Sequence, residues 1–541
     1  MELYRLKPYR TRVGTAKAFY GIDKRPESPD FSLKYSKGLT PKDFPYLSSG
    51  PSLKKERSFS GKIFSVGGAF GFIENGKFYL NGEETALKVS ANTTSVLKMG
   101  KALVAFPDKT YLEDGVSGSL EAEFKTDKSG TERPYFTLVS SSGENYGKNP
   151  IVGPDQPASP ENGDLWIDTS SGESILKCFS NGVYFEVYSP SVKISYKGIG
   201  TLFKKGEGVK IENTSLDGDY VLKEVGNDYI IIGALLSAPE YSNITIKREV
   251  PDISFATVFC NRIFGADSSG RSIYASALGQ MKNWNAFEGI ASDSYFSDVL
   301  DGEEWTGACQ YFGSLYFFKE HCIYQLRGNS PENYQLIKKD APGVKKGSEK
   351  SLFQSGGVLY YNSPEGFMSF DGSFPERVFK NLGELSGKVS ATGNGKDIYL
   401  ADENNLYSVN PEKGIIVSLS EGKFSDLNFK NETLYLSSGG NLYSLSGEPS
   451  DFVAEFNPFG ERKTGKDYLS RIDLSFSLKG SLSVLLSYDD DAYISVLDIE
   501  GEKGGEKDIP IVLKRHESLK LKISGRGQFT LKALTLSYRE V

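Results

Sequence analysis

Histidine is nearly missing: 541 residues include only His321 and His516. A His-rich metal site is excluded, and a His-based triad has two residues to choose from. Cysteine is scarce as well. Cys178, Cys260, Cys309 and Cys322 form no CxxC pair, so neither a zinc site nor a disulfide framework is expected, and all four read as small buried hydrophobes. No apolar run reaches the roughly 18 residues of a membrane helix; the longest, Tyr229 to Leu236, stops well short. The opening Met1-Glu2-Leu3-Tyr4-Arg5-Leu6-Lys7 is charged and aromatic, unlike a secretory signal peptide. No segment of about 12 residues carries helical periodicity. Folds that need helices, among them Rossmann, P-loop and α/β-barrel enzymes, are disfavoured.

What is present suits short strands and tight turns. There are 58 Gly, 31 Tyr and 34 Phe against 4 Met. With 63 Lys+Arg and 70 Asp+Glu the net charge is −7, and 38% of residues are hydrophobic, a soluble globular composition. The length calls for about three or four domains.

A repeat organises the middle of the chain. Leu315-Tyr316-Phe317-Phe318 is followed by Ile323, Leu359-Tyr360-Tyr361 by Phe367, Ile398-Tyr399-Leu400 by Leu406, and Leu434-Tyr435-Leu436 by Leu442, each time at an offset of 8. Turn formers lie between, such as Ser363-Pro364-Glu365-Gly366 and Ser437-Ser438-Gly439-Gly440. Each unit therefore reads as a β-hairpin. Successive units start 44, 39 and 36 residues apart, the spacing of propeller blades. Earlier copies start at Phe70, Leu103 and Ile263, the last with an offset of 10. Seven units result. The expected fold is all-β: a propeller of six to eight blades, seven by this count, with an inserted β module and a C-terminal β-sandwich. A large irregular sandwich of similar hairpins is the competing arrangement.

The remaining segments complete the division. Residues 1–57 form an extended arm with 13 Lys+Arg against 6 Asp+Glu, net +7, which leaves −14 for the rest. Such an arm docks onto an acidic neighbour or wraps its own propeller. Residues 58–117 hold the first blades and 251–459 the others. The insertion, 118–250, has a Pro-rich lead into a strand at Trp166 and a small β-barrel from Val192 to about Val250. In 460–541, Ile472, Leu474, Phe476 and Leu478 alternate with polar residues, as in a separate sandwich.

Few residues look chemical, and no catalytic, cofactor-binding or metal residue is assigned. Asp489-Asp490-Asp491 lacks the spacing and distal Glu of a calcium loop and reads as a hairpin turn. Asp114, Asp155, Asp164 and Asp168 belong to turns. Glu303-Glu304 beside Trp305 pairs acids with an aromatic platform, but no second fixed carboxylate accompanies it; a rim turn with Trp305 packed between blades is the plainer reading. Asn92, Asn213, Asn243 and Asn431 match the glycosylation pattern at the frequency chance allows.

Gly163-Asp164-Leu165-Trp166-Ile167-Asp168-Thr169 with Asn181-Gly182 resembles a module of bacteriophage tail proteins. Asn261-Arg262-Ile263-Phe264-Gly265-Ala266, Trp305-Thr306-Gly307 and Leu521-Lys522-Ile523-Ser524-Gly525-Arg526-Gly527 resemble phage and prophage structural proteins. Lys24-Arg25-Pro26 and Pro45-Tyr46-Leu47 resemble the leading segments of short-tail nozzle propellers. The resemblance implies a non-enzymatic virion component of the tail or head–tail region, assembled in the host cytoplasm. Its implied partners are other virion proteins and copies of itself in a ring, with DNA passing during ejection without sequence-specific contact and no membrane insertion. A receptor- or carbohydrate-binding propeller at the tail tip or a bacterial surface is the alternative, and a glycan-degrading enzyme a weaker one.

Overall fold

The computed structural model describes residues 10–126, 132–267, 269–460 and 467–540. The protein is all-β. All seven repeat hairpins form the two central strands of four-stranded sheets, numbered one to seven here. Sheet one runs Lys62–Val66, Ala69–Glu74, Lys77–Leu80, Glu83–Lys88; sheet two Ser95–Met99, Ala102–Phe106, Thr110–Glu113, Val116–Ser119. Sheet three is Ile253–Phe259, Arg262–Asp267, Ser272–Ala275, Tyr295–Asp298; sheet four Gly307–Tyr311, Ser314–Phe318, Cys322–Arg327, Gln335–Asp340. Sheet five is Phe353–Ser355, Val358–Ser363, Gly366–Phe370, Glu376–Arg377; sheet six Ser390–Gly393, Ile398–Ala401, Asn405–Asn410, Ile415–Glu421. Sheet seven takes Ser425–Lys430, Thr433–Ser438 and Asn441–Gly447 from one end of the chain and Ser52–Ser58 from the other. The Leu359 and Ile398 hairpins lie in different sheets. Repeated four-stranded meanders of this kind are the unit of a propeller blade.

The chain divides into two compact units. The first comprises residues 1–85, 317–324 and 338–541. Within it the first strands of sheets five, six, seven and one neighbour one another in that order. Their hairpins carry the core: Leu359, Phe370, Leu400, Val409 and Leu436 are all buried. The second unit comprises residues 86–316 and 325–337. There the first strands of sheets two, three and four follow one another in the same way.

The ends of the chain pack onto the rest of their unit. Residues 10–58 wrap their own chain, one of the two arrangements expected of the arm. Arg10–Ala16 pairs with Leu519–Glu540, Leu33–Lys37 with Asp451–Phe456, and Ser52–Ser58 with Asn441–Gly447. Phe19, Ile22, Leu33, Leu39 and Leu47 are buried in the unit's core. Singly spaced apolar residues hold this segment down, and a charge count does not register them. The C-terminal stretch is likewise no separate sandwich. Its 22-residue strands Asp467–Tyr488 and Leu519–Glu540 belong to a nine-stranded sheet that also contains the N-terminal strands. Gly480 lets the two long strands meet closely: at φ +146°, its Cβ would stand 1.9 Å from the Arg526 carbonyl oxygen.

The insertion is an eight-stranded sheet. It draws Ala122–Lys125 and Tyr135–Val139 as well as strands beyond Ser191, so this sheet begins earlier than Val192. Phe136 and Leu138 meet Val192 and Ile194 inside it. The Trp166 module, Ile151–Glu186, is a four-stranded sheet nested within the sequence of the eight-stranded one. At the root, Arg248 and Glu207 form a buried ion pair of 2.7 Å, each 6% exposed, and Arg248 also donates to the Leu120 carbonyl.

Candidate functional site

The residues singled out in the sequence do not converge. Asp489 accepts backbone N–H bonds from Glu517 and Ser518, Asp490 pairs with Lys520, and Asp491 pairs with Lys514 at 2.8 Å. Three separate partners leave no shared cation position, and no group of three metal-ligating side chains occurs among the described residues. Asp114 pairs with Lys101 in an exposed turn, and Asp155 is exposed. Asp164 accepts from Lys148 at 2.6 Å. Trp305 is only 5% exposed, too buried to serve as a platform for a sugar. In the nested module, Trp166 donates its Nε1–H to the Gly153 carbonyl while Lys177 sits 4.8 Å over its ring. Its role is packing. His516 is buried with Nδ1 2.9 Å from the Lys514 carbonyl, and His321 is exposed. Of the cysteines, Cys322 is buried and Cys260 exposed. Burial pushes the Cys309 thiol up to about 12.

A cleft in the first unit gathers residues that no motif had joined. Its volume is about 410 Å³. One wall is the N-terminal segment. Ile22 donates its N–H to the Ile416 carbonyl, and Lys24 donates its N–H to the Asn381 carbonyl. The Asn381 side chain returns a bond to the Ile22 carbonyl at 3.0 Å. Gly21 permits this approach: it has φ +77°, and a Cβ there would lie 2.2 Å from the Ile416 carbonyl oxygen. Tyr20, 57% exposed, stands at the edge with its ring 5.6 Å from Phe44.

The opposite wall is the end of sheet five. Phe379 precedes the short 3₁₀ turn Lys380–Leu382 with φ +55° and ψ +36°, the left-handed region. Its ring lies nearly parallel to Phe367 and Tyr360, at 5.8 and 6.4 Å. Four cations complete the lining: Arg25, Arg377, Lys380 and Lys413. Arg25 is bound to Asp23 through two bonds of 2.9 and 2.6 Å, which raise its pKa above the ordinary value. Lys413 pairs with its neighbour Glu412. Phe379 is half-buried, and cations beside such an aromatic edge can hold the polar groups and the apolar face of one small ligand.

No protein-family profile matches the chain, and no curated protein matches it. Solved structures do align with it. An exo-β-1,3-galactanase from Phanerochaete chrysosporium, with galactose, is 10% identical over 76% of this chain and 100% of its own, at a TM-score of 0.19. The extracellular domain of a one-component system from B. thetaiotaomicron is 10% identical over 90% of this chain and 88% of its own, at 0.24. A Bombyx mori GH32 β-fructofuranosidase in complex with sucrose is 11% identical over 64% and 88%, at 0.17. Two of these three are glycoside hydrolases, and none is a virion protein. The expectation of a non-enzymatic chain is corrected by these matches. At such identities and scores they assign no role to any residue.

Proposed function

We propose that the chain is a carbohydrate-binding β-propeller whose ligand enters the cleft between Tyr20 and Phe379. The seven four-stranded sheets are its blades. That count is supported by the neighbouring first strands within each unit and by a seventh sheet completed from the N-terminal end.

Phe379 carries the binding reading. A bulky residue at positive φ costs of order 1–3 kcal/mol, and such strain clusters at ligand sites. Here it sets an aromatic ring in the lining of a cleft bordered by donors from Arg377, Lys380 and Lys413. Sugar rings present apolar C–H faces to aromatic rings and hydroxyls to polar groups, and this lining offers both. The resemblance of the Trp166 and Ile263 segments to phage tail proteins is the ground for placing it at a tail tip, which mass spectrometry of purified particles would test.

Phe379→Gly is the informative variant, because glycine accepts the backbone angle while removing the ring. The full chain is screened against a panel of oligosaccharides, with reducing-end release measured in parallel. The variant should stay folded and bind at least tenfold more weakly. Unchanged binding by Phe379→Gly would sink the reading.

A further inference from the structure

We infer that the cleft selects acidic saccharides, those bearing carboxylate or sulfate groups. This rests on the carbohydrate-binding reading and adds the charge of the ligand. The protein carries a net −7, yet four cations and only two carboxylates, Asp23 and Asp30, line this cleft. Asp23 does not count against an anion: both its oxygens are engaged by Arg25. Lys413 is partly answered by Glu412 at 2.8 Å. Arg377 and Lys380 have no ion-pair partner among the described residues. They flank Phe379 in sequence, so the strained backbone that places the ring also sets two cations around it.

Unanswered cations lining one cleft repel one another unless an anion arrives. A planar guanidinium and an ammonium in one lining suit a carboxylate or sulfate, the first taking it in bidentate fashion. A volume of about 410 Å³ matches a small ligand. A long polyanion such as nucleic acid would also meet the negative field of the rest of the chain.

The experiment is calorimetric titration of the full chain at low and moderate salt. The probes are a panel of uronate, sialylated and sulfated oligosaccharides, their neutral counterparts, inorganic sulfate, inorganic phosphate, and a single-stranded oligonucleotide. At least one acidic saccharide should bind tenfold or more tightly than its neutral counterpart, and salt should erode that preference. Arg377→Gln and Lys380→Gln should each weaken acidic binding three- to tenfold, and the pair together should bring it to the neutral level. Inorganic sulfate or phosphate binding as tightly as the acidic sugars would overturn the inference, as would preferential binding of the oligonucleotide. Saccharide binding that depends on Phe379 but ignores ligand charge would sink this inference and leave the broader reading standing. No saccharide binding at all would sink both.

Discussion

Asp168 and Lys177 are two residues whose pairing can be followed by pH. They sit on adjacent strands of the nested module, joined at 2.7 Å. Bonds from Lys177 and from the Ser170 side chain and backbone hold the Asp168 pKa down to about 2, against an ordinary 3.8. The folded-state pKa is lowered, so the pair's contribution is complete above the unfolded value and is lost as pH falls through about 2. Carboxyl-resolved NMR titration should place the Asp168 midpoint near 2, and Lys177→Met should raise it towards 3.8. A midpoint that ignores the substitution would mean that Lys177 does not set it. The motif around Trp166 was legible as a strand and a turn, since Gly163, Asn181 and Gly182 all adopt positive φ. Phe379 was not legible. Nothing in a sequence announces that a phenylalanine will take the left-handed region, and Arg25, Arg377 and Lys413 come from three separate segments.

At the scale of elements, the hairpins could be read because each has its turn chemistry and two apolar runs within about a dozen residues. The outer strands could not. Glu376–Arg377 is two residues long and exposed, so it has neither periodicity nor burial to betray it. The N-terminal segment was legible only as an extended arm that docks or wraps, because its buried residues are isolated and its Pro and Lys content hides them. Removing residues 1–57 would strip all but the last residue of Ser52–Ser58 from sheet seven and leave Asn441–Gly447 as an open edge. It would also uncover the core around Phe19, Ile22 and Leu33. The truncated chain should aggregate or become protease-sensitive between residues 425 and 447, as judged by size-exclusion chromatography and limited proteolysis. A monodisperse, protease-resistant truncation would show that the segment is dispensable for the fold.

At the scale of the molecule, the insertion was legible as an interruption of the repeat, and its roots explain how the fold tolerates it. Ala122 lies opposite Arg248 in register, so chain exit and return are adjacent. A second attachment joins it to the connection between the third and fourth strands of sheet three. Gly208 donates its N–H to Asn283 Oδ1, and Asn283 Nδ2 donates to the Gly206 carbonyl. Arg262, fully buried, braces the same connection through the carbonyls of Ser276, Ala291 and Asp293. Replacing residues 121–250 with a short Gly/Ser linker should therefore leave the strand content of the remaining sheets intact. Protection against hydrogen exchange should fall in residues 277–294. Loss of sheet signal throughout would show that the insertion is part of the core.

The composition of sheet seven also bears on how the molecule is made. Ser52–Ser58 leaves the ribosome early, while its partner Asn441–Gly447 follows roughly 390 residues later. At synthesis rates of about 5–20 residues per second, that strand waits some 20–80 s for its place. During that interval it is a β-segment without a sheet, the state most open to pairing with the wrong chain. Its sequence fits such a wait: Lys54, Lys55, Glu56 and Arg57 make up its middle, and all four residues remain exposed in the folded protein. Charge keeps the early strand apart from other nascent chains until the last hairpin arrives to receive it.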